Sequence, residues 1–500
     1  MKTTRRELFL GATAFGFLGS LPAARAQTSK VLTATTRSLE VNGKAARVFA
    51  LLGPNGDPGV TLDPGERFAV KLKNQVGTPT IIHWHGQEPD WKQDGFPWPE
   101  TPAIAAGSAK SYDYKPISGT FWMHSHAGLQ EQQLMTAPLI VRDIASLSAD
   151  TQDIVLMLHD FSFKTPNELL AGLTKNSAMG GMDGMGSGGM SNMSGMSMGA
   201  SGTMMGPAMN GMDKSTGSMT GMSGAMSGSA DLNDIDYDAF LANERSLADP
   251  EIVRVPAGQA VRLRVINGSA STNFWIDLEG ISGQVVAADG RGVVPVSGSR
   301  FPIAMAQRLD ILFRVPNAGS FPILAQVEGK TDRTGIIIAT PGASIPKIVA
   351  LAAIKAPPTD LSLESRLTAA NPLVARPIDM TLPLMLDGDM STYAWTLNGK
   401  QWPNPKVLIV NPGQRVMIDM TNQSMMSHPM HLHGHSFQVV ALNGKPINGA
   451  LRDTVLVPPM GNVKIAFDAT NPGRWALHCH NLYHMAGGMM TEVRYSGIAV

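Results

Sequence analysis

Apolar and polar residues alternate along much of the chain, in short runs that follow Pro/Gly-type turns. Three of these runs share one layout: apolar residues recur at every second position, and an asparagine stands nine residues after the turn glycine. The turn glycines are Gly65, Gly258 and Gly413. Alternation with a period of two is typical of a strand that buries one face. The runs therefore predict three equivalent strands of an internal repeat.

A second repeated segment follows each of these strands, 54, 61 and 60 residues after the first glycine. It begins at Gly119, Gly319 and Gly473, and an aromatic residue follows each glycine two positions later. Helical periodicity is scarce, so we expect an all-β chain of three β-sandwich domains with one ancestry. The predicted domains are about 30–145, 150–345 and 379–500, and residues 346–378 form a predicted linker.

The second domain is lengthened by residues 177–230, which consist mainly of Gly, Ser and Met. This segment has no Leu, Ile, Val or aromatic residue, and 14 of the 31 methionines lie between Met179 and Met226. Such a composition cannot bury enough branched apolar surface to offset the entropy of ordering the chain. We therefore predict a disordered, methionine-rich insertion.

The N-terminus has the pattern of an export signal. Arg5 and Arg6 precede an apolar run to about Leu21, which is too short to span a bilayer, and Ala24-Arg25-Ala26 fits a cleavage site. The twin arginine resembles signals for proteins exported already folded, although a chance Arg-Arg in an ordinary signal is the alternative. We expect residues 1–26 to be a signal peptide read by the twin-arginine export machinery, and a periplasmic protein without a transmembrane segment.

Charge and cysteine content exclude several classes of protein. Lys+Arg and Asp+Glu both number 40, so the chain lacks the strongly basic surface of a nucleic-acid-binding protein. A single cysteine, Cys479, excludes a disulfide framework. We expect a monomer that does not bind nucleic acid.

The histidines lie on the repeats. His-X-His pairs stand 18 residues after the first glycine of the first and third domains, and again five residues after the second glycine. Both histidines of a pair point to one face of a strand, so eight imidazoles can meet between the two domains. Imidazole suits copper, zinc, iron and nickel, so these pairs alone do not choose the metal. In the second domain, Leu324 and Gln326 stand at the place of the later pair, and Ile276-Asp277-Leu278 lies near the place of the earlier pair.

The third domain carries an additional set of ligands. Cys479 lies between two histidines, His428 lies 51 residues upstream, and His484 and Met489 follow at +5 and +10. Two histidines, one cysteine and a weak axial methionine form the blue-copper electron-transfer site. The first domain has Ser125 at the place of the cysteine, so the sequence predicts one such site. Cys479 would pass electrons from the blue copper to a cluster held by its chain neighbours.

Four motifs, HWHG, HSH, HPMHLHG and HCHNLYHMAGGM, together resemble the copper motifs of the three-domain multicopper oxidases. This family includes laccases, bilirubin oxidases and bacterial copper-tolerance cuprous oxidases. The resemblance implies three cupredoxin-like Greek-key domains and four copper ions. It implies a type 1 copper on His428, Cys479, His484 and Met489, and a type 2 copper on His83 and His431. It implies a type 3 pair on His85, His124, His126, His433, His478 and His480.

For four further polar residues, a functional role is compared with a purely structural one. The resemblance implies that Asp94 relays protons to reduced oxygen, although an Asp before Gly95 also suits a plain turn. Asp453 is interpreted either as a partner that orients a copper histidine or as a residue without such a role. His159 and His435 are interpreted as structural histidines.

Soft thioether ligands select Cu(I), so the insertion favours cuprous ion as the reductant. Met485 and Ser424 stand where some copper-tolerance relatives have carboxylates, which leaves Met425, Met426 and Met485 as candidate Cu(I) ligands. The resulting hypothesis is an enzyme that couples oxidation of Cu(I) to Cu(II) to four-electron reduction of O2 to water. Alternatives are a laccase for phenols or aromatic amines, a copper-sequestering protein, and a relative that has lost its coppers.

Overall fold

The computed structural model of the chain describes residues 29–144, 150–180 and 232–498, with backbone alone for 175–180. The predicted signal peptide and most of the predicted insertion lie outside these residues. Within them, strands dominate and form six sheets, two in each third of the chain. The predicted all-β character is confirmed.

Two four-stranded sheets form the first third, with the orders β2-β1-β4-β6 and β3-β8-β7-β5. Buried residues such as Leu32, Val70 and Leu139 form the core between them. The strands are β1 (Lys30–Val41), β2 (Lys44–Leu52), β3 (Val60–Leu62), β4 (Phe68–Asn74), β5 (Ile82–His85), β6 (Ala109–Tyr114), β7 (Gly119–Ser125) and β8 (Thr136–Val141).

The second third repeats this topology with longer sheets, β10-β9-β12-β17-β14-β15 and β11-β19-β18-β13-β16. Leu263, Ile276 and Ile336 lie in the core between them. The strands are β9 (Thr151–Phe161), β10 (Ala239–Ala242), β11 (Ile252–Arg254), β12 (Ala260–Asn267), β13 (Phe274–Asp277), β14 (Gly283–Ala288), β15 (Arg291–Gly298), β16 (Arg300–Ile303), β17 (Arg308–Arg314), β18 (Ser320–Val327) and β19 (Arg333–Ala339).

The final third has the sheets β21-β20-β23-β29-β25-β26, to which β27 is added, and β22-β31-β30-β24-β28. Its core includes Ile418, Val455 and Val493. The strands are β20 (Met380–Asp389), β21 (Ala394–Leu397), β22 (Leu408–Val410), β23 (Arg415–Asn422), β24 (His428–Leu432), β25 (Phe437–Leu442), β26 (Lys445–Pro446), β27 (Leu451–Arg452), β28 (Thr454–Val457), β29 (Asn462–Asp468), β30 (Arg474–Cys479) and β31 (Met490–Tyr495).

The asparagine that ends each repeated strand has a physical reason. Asn74, Asn267 and Asn422 are buried, and each side-chain oxygen accepts the backbone N–H two residues later. Each side-chain amide donates to carbonyls of the following loops; Asn422, for example, donates to Met426 at 2.7 Å and Pro458 at 2.9 Å. Each asparagine therefore fixes the loop that leads into the next strand, and in the third domain that strand begins at the first predicted blue-copper ligand.

Two helices lie near the predicted blue site: α1 (Pro166–Gly180) and α2 (Leu482–Ala486). Helix α1 begins with a capping box, in which the Thr165 N–H donates to Glu168 at 2.7 Å and the Glu168 N–H donates back to the Thr165 hydroxyl at 3.3 Å. Leu169 and Leu173 bury its apolar side in the core of the third domain. Helix α1 ends four residues into the predicted disordered segment, and the rest of that segment lies outside the described residues.

Candidate metal centre

Strand register brings the paired histidines together as the spacing predicted. In the first domain His83 lies opposite His124, on the neighbouring strands β5 and β7. In the third domain His431 lies opposite His478, on β24 and β30. Since side chains alternate across a strand, both His-X-His pairs of each domain face the same side of their sheet.

The second domain has no histidine at the equivalent strand positions. Ile276, Leu278, Ala325 and Val327 face the core between the two sheets of this domain, as Ile82, Trp84 and Met123 do in the first domain. Leu324 and Gln326 face the other way, as the histidines do, so they stand at the place of the later pair as the sequence predicted. Leu324 lies opposite Asp277, which therefore stands at the place of the first histidine of the earlier pair, one residue beyond Ile276.

The eight imidazoles meet at the contact between the first and third domains. All eight are at least nine-tenths buried. The rings interleave: His83 stacks on His433 with centroids 3.8 Å apart, and His85 stacks on His431 at 3.7 Å. Three groups of three imidazoles bring their ring nitrogens within 4.8 Å of one another: His83, His85 and His431; His85, His124 and His480; and His126, His433 and His478.

Distances between ring nitrogens fit shared metal ions. Nε2 of His83 lies 3.3 Å from Nε2 of His431, and Nε2 of His433 lies 3.1 Å from Nε2 of His478. Metal–nitrogen bonds of about 2.0–2.1 Å in tetrahedral geometry place two ligand nitrogens about 3.3 Å apart. Nε2 of His126 is buried without a hydrogen-bond partner. The donor set therefore fits metal ions bound by imidazole.

Burial lowers the pKa of seven of these imidazoles and so favours the neutral form that a ligand requires. Desolvation, reinforced by the neighbouring histidines, lowers the pKa of His85, His124 and His433 well below its ordinary value. Burial lowers the pKa of His478 to about 4. Lone pairs on neutral rings are free to bind a cation near neutral pH.

The predicted blue-copper ligands form a separate group. Nδ1 of His428 lies 3.2 Å from Nδ1 of His484, and each nitrogen lies 3.7 Å from Sγ of Cys479. Met489 is fully buried in the same core, and its carbonyl accepts the Cys479 N–H at 3.1 Å. Burial raises the pKa of the Cys479 thiol, so a bound cation is needed to hold it as thiolate near neutral pH. Two imidazoles and a thiolate at these distances fit a trigonal copper site.

The first domain retains this arrangement without its metal ligands. Thr80 and Gln130 occupy the positions of His428 and His484, and Ser125 occupies the position of Cys479. The Thr80 and Ser125 hydroxyls both donate to Oε1 of Gln130, at 2.7 and 2.8 Å. The Met135 carbonyl accepts the Ser125 N–H at 3.0 Å, as the Met489 carbonyl does at the equivalent place. A hydrogen-bonded group therefore replaces the blue-site ligands in the first domain.

Asp94 lies between two of the cluster histidines. Its backbone carbonyl is 2.9 Å from Nδ1 of His83, and its Oδ2 is 2.8 Å from Nδ1 of His433. The turn requires Gly95, because a Cβ there would lie 1.8 Å from the Ile82 carbonyl and φ is +90°. Asp94 precedes the glycine of a turn and also contacts two histidines. A role in the turn and a role at the cluster are therefore compatible.

Asp453 also contacts the cluster, whereas two other histidines do not belong to it. Asp453 Oδ1 lies 3.0 Å from Nε2 of His85. His159 lies 2.7 Å from the Thr136 hydroxyl, and His435 lies 2.6 Å from the Tyr495 hydroxyl. Neither His159 nor His435 is part of the metal-ligand groups found among the described residues.

Sequence profiles described as multicopper oxidase match residues 33–146, 202–341 and 376–497. The chain is 31% identical over 487 residues to multicopper oxidase MmcO of Mycobacterium tuberculosis. The aligned region covers 95% of this chain and 89% of that protein. The chain belongs to the multicopper oxidases. As a multicopper oxidase it is an oxidoreductase that uses copper and O2. This agrees with the ligand chemistry of the eight clustered imidazoles and of the separate group that contains Cys479.

Other relatives extend this comparison. Copper resistance protein A of Escherichia coli is 26% identical over 621 residues, covering 99% of each chain. The crystal structure of Fet3p, a multicopper oxidase that functions in iron import, superposes with TM-score 0.73 at 19% identity and covers 93% of this chain and 90% of that one. The laccase of Botrytis aclada superposes with TM-score 0.71 at 20% identity and covers 94% and 88%. These structures confirm the predicted cupredoxin-like fold. Within the described part of this multicopper oxidase, no helix has the length and apolarity to cross a membrane.

Two carboxylates beside the metal-ligand groups were not anticipated from the sequence. Oε2 of Glu131 lies 2.7 Å from Nδ1 of His124, and Oδ2 of Asp234 lies 3.1 Å from Nε2 of His484. Glu131 stands in a 3-10 turn five residues after the second His-X-His pair, and Asp234 follows the insertion. A carboxylate soon after a metal motif was the available signal for Glu131, whereas Asp234 reaches its histidine through the tertiary fold alone.

The copper-free multicopper oxidase is expected to be sensitive to acid. Burial lowers the folded-state pKa of ten histidines, so the unfolded chain binds more protons below about pH 6.5, and stability falls as the pH drops from there toward about 4. Each such histidine contributes up to about 1.4 kcal/mol per pH unit in that window. They are His85, His124, His126, His159, His428, His431, His433, His435, His478 and His480.

Urea unfolding of the copper-free protein between pH 7.5 and 5 measures this dependence. The copper-loaded protein is the comparison, because its bound imidazoles take up no proton in the folded state, whereas the imidazoles freed by unfolding do. Its stability should fall at least as steeply over the same range. A copper-free protein whose stability does not change between pH 7.5 and 5 would contradict the expectation.

Proposed function

We propose that this multicopper oxidase is a periplasmic cuprous oxidase for copper tolerance, exported as a folded monomer by the twin-arginine route. Four Cu(I) ions and four protons are consumed with each O2, which gives four Cu(II) and two water molecules. The observation that carries the proposal is the position of the two described flanks of the methionine-rich segment. Both of its described flanks, helix α1 and residues 232–237, lie against the third domain beside the blue-site histidines.

The proposed ligands follow the geometry of the two groups. A type 1 copper would be held by His428, Cys479, His484 and Met489, and a type 2 copper by His83 and His431. Two type 3 coppers would be held by His85, His124 and His480, and by His126, His433 and His478, which are two of the three groups of imidazoles whose ring nitrogens lie close together. Together the four coppers would supply storage for the four electrons that O2 requires.

One flank of the segment touches a blue-site ligand directly. Asp234 accepts hydrogen bonds from the Tyr393 hydroxyl at 2.7 Å and from Nε2 of His484 at 3.1 Å. Its other oxygen is buried without a partner. Asp234 also lines a cavity of about 230 Å³ together with Glu168, Asp236 and helix α1. A cation released by the methionines would meet carboxylates one hydrogen bond away from His484.

Further methionines lie close in the chain to Ser424, which contacts the other blue-site histidine. The Ser424 hydroxyl lies 2.7 Å from Nε2 of His428, and the Met460 N–H donates to the Ser424 carbonyl. Met425 and Met460 are about two-thirds exposed, whereas Met426 is buried. Soft sulfur ligands at the surface, one residue from a group bonded to His428, suit Cu(I) and replace the carboxylate of some relatives.

The chain supplies proton handling and electron transfer from fixed positions. Asp94 holds an oxygen on the Nδ1 side of His433, where a carboxylate can pass protons toward reduced oxygen. Cys479 joins the blue group to the cluster through His478 and His480, its neighbours in the chain. The strand geometry therefore gives electrons a short covalent path.

Oxidation of phenols is the second candidate function. Similarity to laccases favours it, but the cavity beside His484 is smaller than the roughly 300 Å³ at which pockets for small organic molecules begin. Oxygen uptake by the copper-loaded mature protein, with Cu(I) or a simple phenol as the only reductant, distinguishes the two. Faster uptake with Cu(I) supports the cuprous oxidase, and faster uptake with the phenol overturns it. A protein that binds copper without oxygen uptake would be a sequestering protein.

Replacing the 14 methionines between Met179 and Met226 by glutamine should raise the KM for Cu(I) severalfold. The amide keeps the length and flexibility of the segment but lacks a soft ligand for Cu(I). Steady-state oxygen uptake with Cu(I) and with a phenol measures the change. The control replaces the serines of the same segment by glutamine. An unchanged KM for Cu(I) in the methionine variant would contradict delivery by this segment.

A further inference from the structure

The second domain contributes a buried arginine to the surroundings of the cluster. Arg308, the first residue of β17, is fully buried. Its Nη1 donates to Oδ1 of Asp453 at 2.8 Å, and its Nη2 donates to the other oxygen of that carboxylate. Its Nε donates to the Thr120 carbonyl of the first domain at 3.3 Å. One side chain of the second domain therefore contacts both domains that carry the histidines.

The carboxylate that accepts hydrogen bonds from Arg308 belongs to a dipeptide, Asp453-Thr454. This dipeptide contacts one histidine of the first domain and one of the third. Nε2 of His85 lies 3.0 Å from Oδ1 of Asp453 and 3.1 Å from the Thr454 hydroxyl. Nδ1 of His431 lies 2.8 Å from the Asp453 carbonyl and 3.2 Å from the same hydroxyl. In each of the two rings, the dipeptide thus contacts the nitrogen that faces away from the cluster.

Two more residues of the second domain hold the same dipeptide. Gln307 donates from Nε2 to the Thr454 carbonyl at 3.2 Å. Asp289 accepts the Thr454 N–H at 3.3 Å and the Arg308 N–H at 2.9 Å. A two-pronged arginine–carboxylate pair fixes orientation as well as distance, because the guanidinium and carboxylate planes must match. The contacts at the amide, carboxylate and carbonyl of the dipeptide leave it little freedom to rotate.

We propose that Arg308 is a positioning residue for the copper cluster, although its domain supplies none of the proposed ligands. Through Asp453-Thr454 it fixes the rings of His85 and His431, and the assignment of these two histidines rests on the proposed function. Groups that orient a metal-binding histidine typically change metal affinity about 10- to 100-fold when they are lost. The effect should be local, because the outer nitrogens of His428 and His484 have other partners.

The test replaces Arg308 by lysine, which keeps the positive charge but lacks the planar fork. Arg264→Lys is the matched control. Arg264 is also buried in the sheet of β17, where it pairs with Asp310 at 3.1 Å and Asp153 at 3.1 Å. It donates to the Thr120 hydroxyl at 2.8 Å, and among the described residues it has no direct hydrogen bond to a copper histidine. Both copper-free variants are titrated with copper while the blue band and the EPR signal of Cu(II) without a thiolate ligand are recorded.

The expected result is a loss of about 10- to 100-fold in affinity for the non-blue Cu(II) in Arg308→Lys, with the blue band intact. Arg264→Lys should retain both signals at wild-type affinity. Unchanged binding of the non-blue Cu(II) in Arg308→Lys, or equal losses in the two variants, would overturn the proposal. If Arg308→Lys does not fold, as judged by circular dichroism, Asp453→Asn removes the same pair and must give the same selective loss. A wild-type protein with a blue signal and no second Cu(II) signal would instead refute the ligand assignment itself.

Discussion

We expect Cys479→Ser to lose the blue band completely and to consume oxygen no faster than the copper-free chain. The thiolate is the strong soft ligand of the proposed type 1 site, and Cys479 is the one cysteine of the chain. Serine has nearly the same volume, so the fully buried strand position stays filled. The substitution also breaks the path to His478 and His480. Absorption spectroscopy, copper analysis and oxygen uptake with Cu(I) measure the three effects.

The first domain offers a matched control for this prediction. Ser125 occupies the position equivalent to Cys479, so Ser125→Cys introduces a thiol on β7 beside Thr80 and Gln130, neither of which is a histidine. This variant should show no second blue band and should keep its oxygen uptake. Retention of a blue band in Cys479→Ser would show that another group holds the blue copper.

Asp94→Asn should slow oxygen reduction about 10²- to 10⁴-fold, the range that a positioned acid–base group contributes. Asparagine preserves the volume and an acceptor oxygen toward His433, and the backbone carbonyl that contacts His83 is unchanged. It cannot take up and release a proton near neutral pH. Anaerobic bleaching of the blue band by Cu(I) should keep its rate, whereas the return of the band with O2 should become slow.

Asp90→Asn is the control for Asp94. Asp90 is exposed in the same turn, where its Oδ1 accepts the Lys92 N–H at 2.9 Å, and it lies away from the histidines. Its substitution tests the turn without touching the cluster. If both variants slow the return of the blue band equally, Asp94 acts through the turn. If Asp94→Asn slows the bleaching step instead, the proton role is wrong.

The sequence predicted features that depend on spacing within one strand or between equivalent strands. The His-X-His pairs meet because His83 and His431 occupy equivalent registers against His124 and His478. The second domain shows the limit of this reasoning, because the residue 18 positions after Gly258, Ile276, faces the core, and Asp277 is the residue that lies opposite Leu324. Spacing alone does not reveal this difference of one residue, since no histidine marks that strand.

Contacts between distant parts of the chain were beyond sequence reasoning. Asp234 meets His484 across 250 residues, and Arg308 meets Asp453 across 145. Neither pair has a local motif, because the contact arises from how the three domains pack. For the same reason, the sequence placed the methionine-rich insertion in the second domain without showing that its flanks lie at the blue site of the third.

The division of the cluster between the first and third domains has a consequence for biogenesis. During synthesis His83 leaves the ribosome almost 350 residues before His431, so the first domain can fold while half of the ligands do not yet exist. A copper ion present at that stage would find an incomplete set of imidazoles. Arg308 would also lack Asp453, the carboxylate with which it pairs. Correct loading must therefore wait until the third domain has emerged and docked. Loading of the complete cluster is therefore expected to follow translation, and keeping copper from the nascent chain would preserve that order.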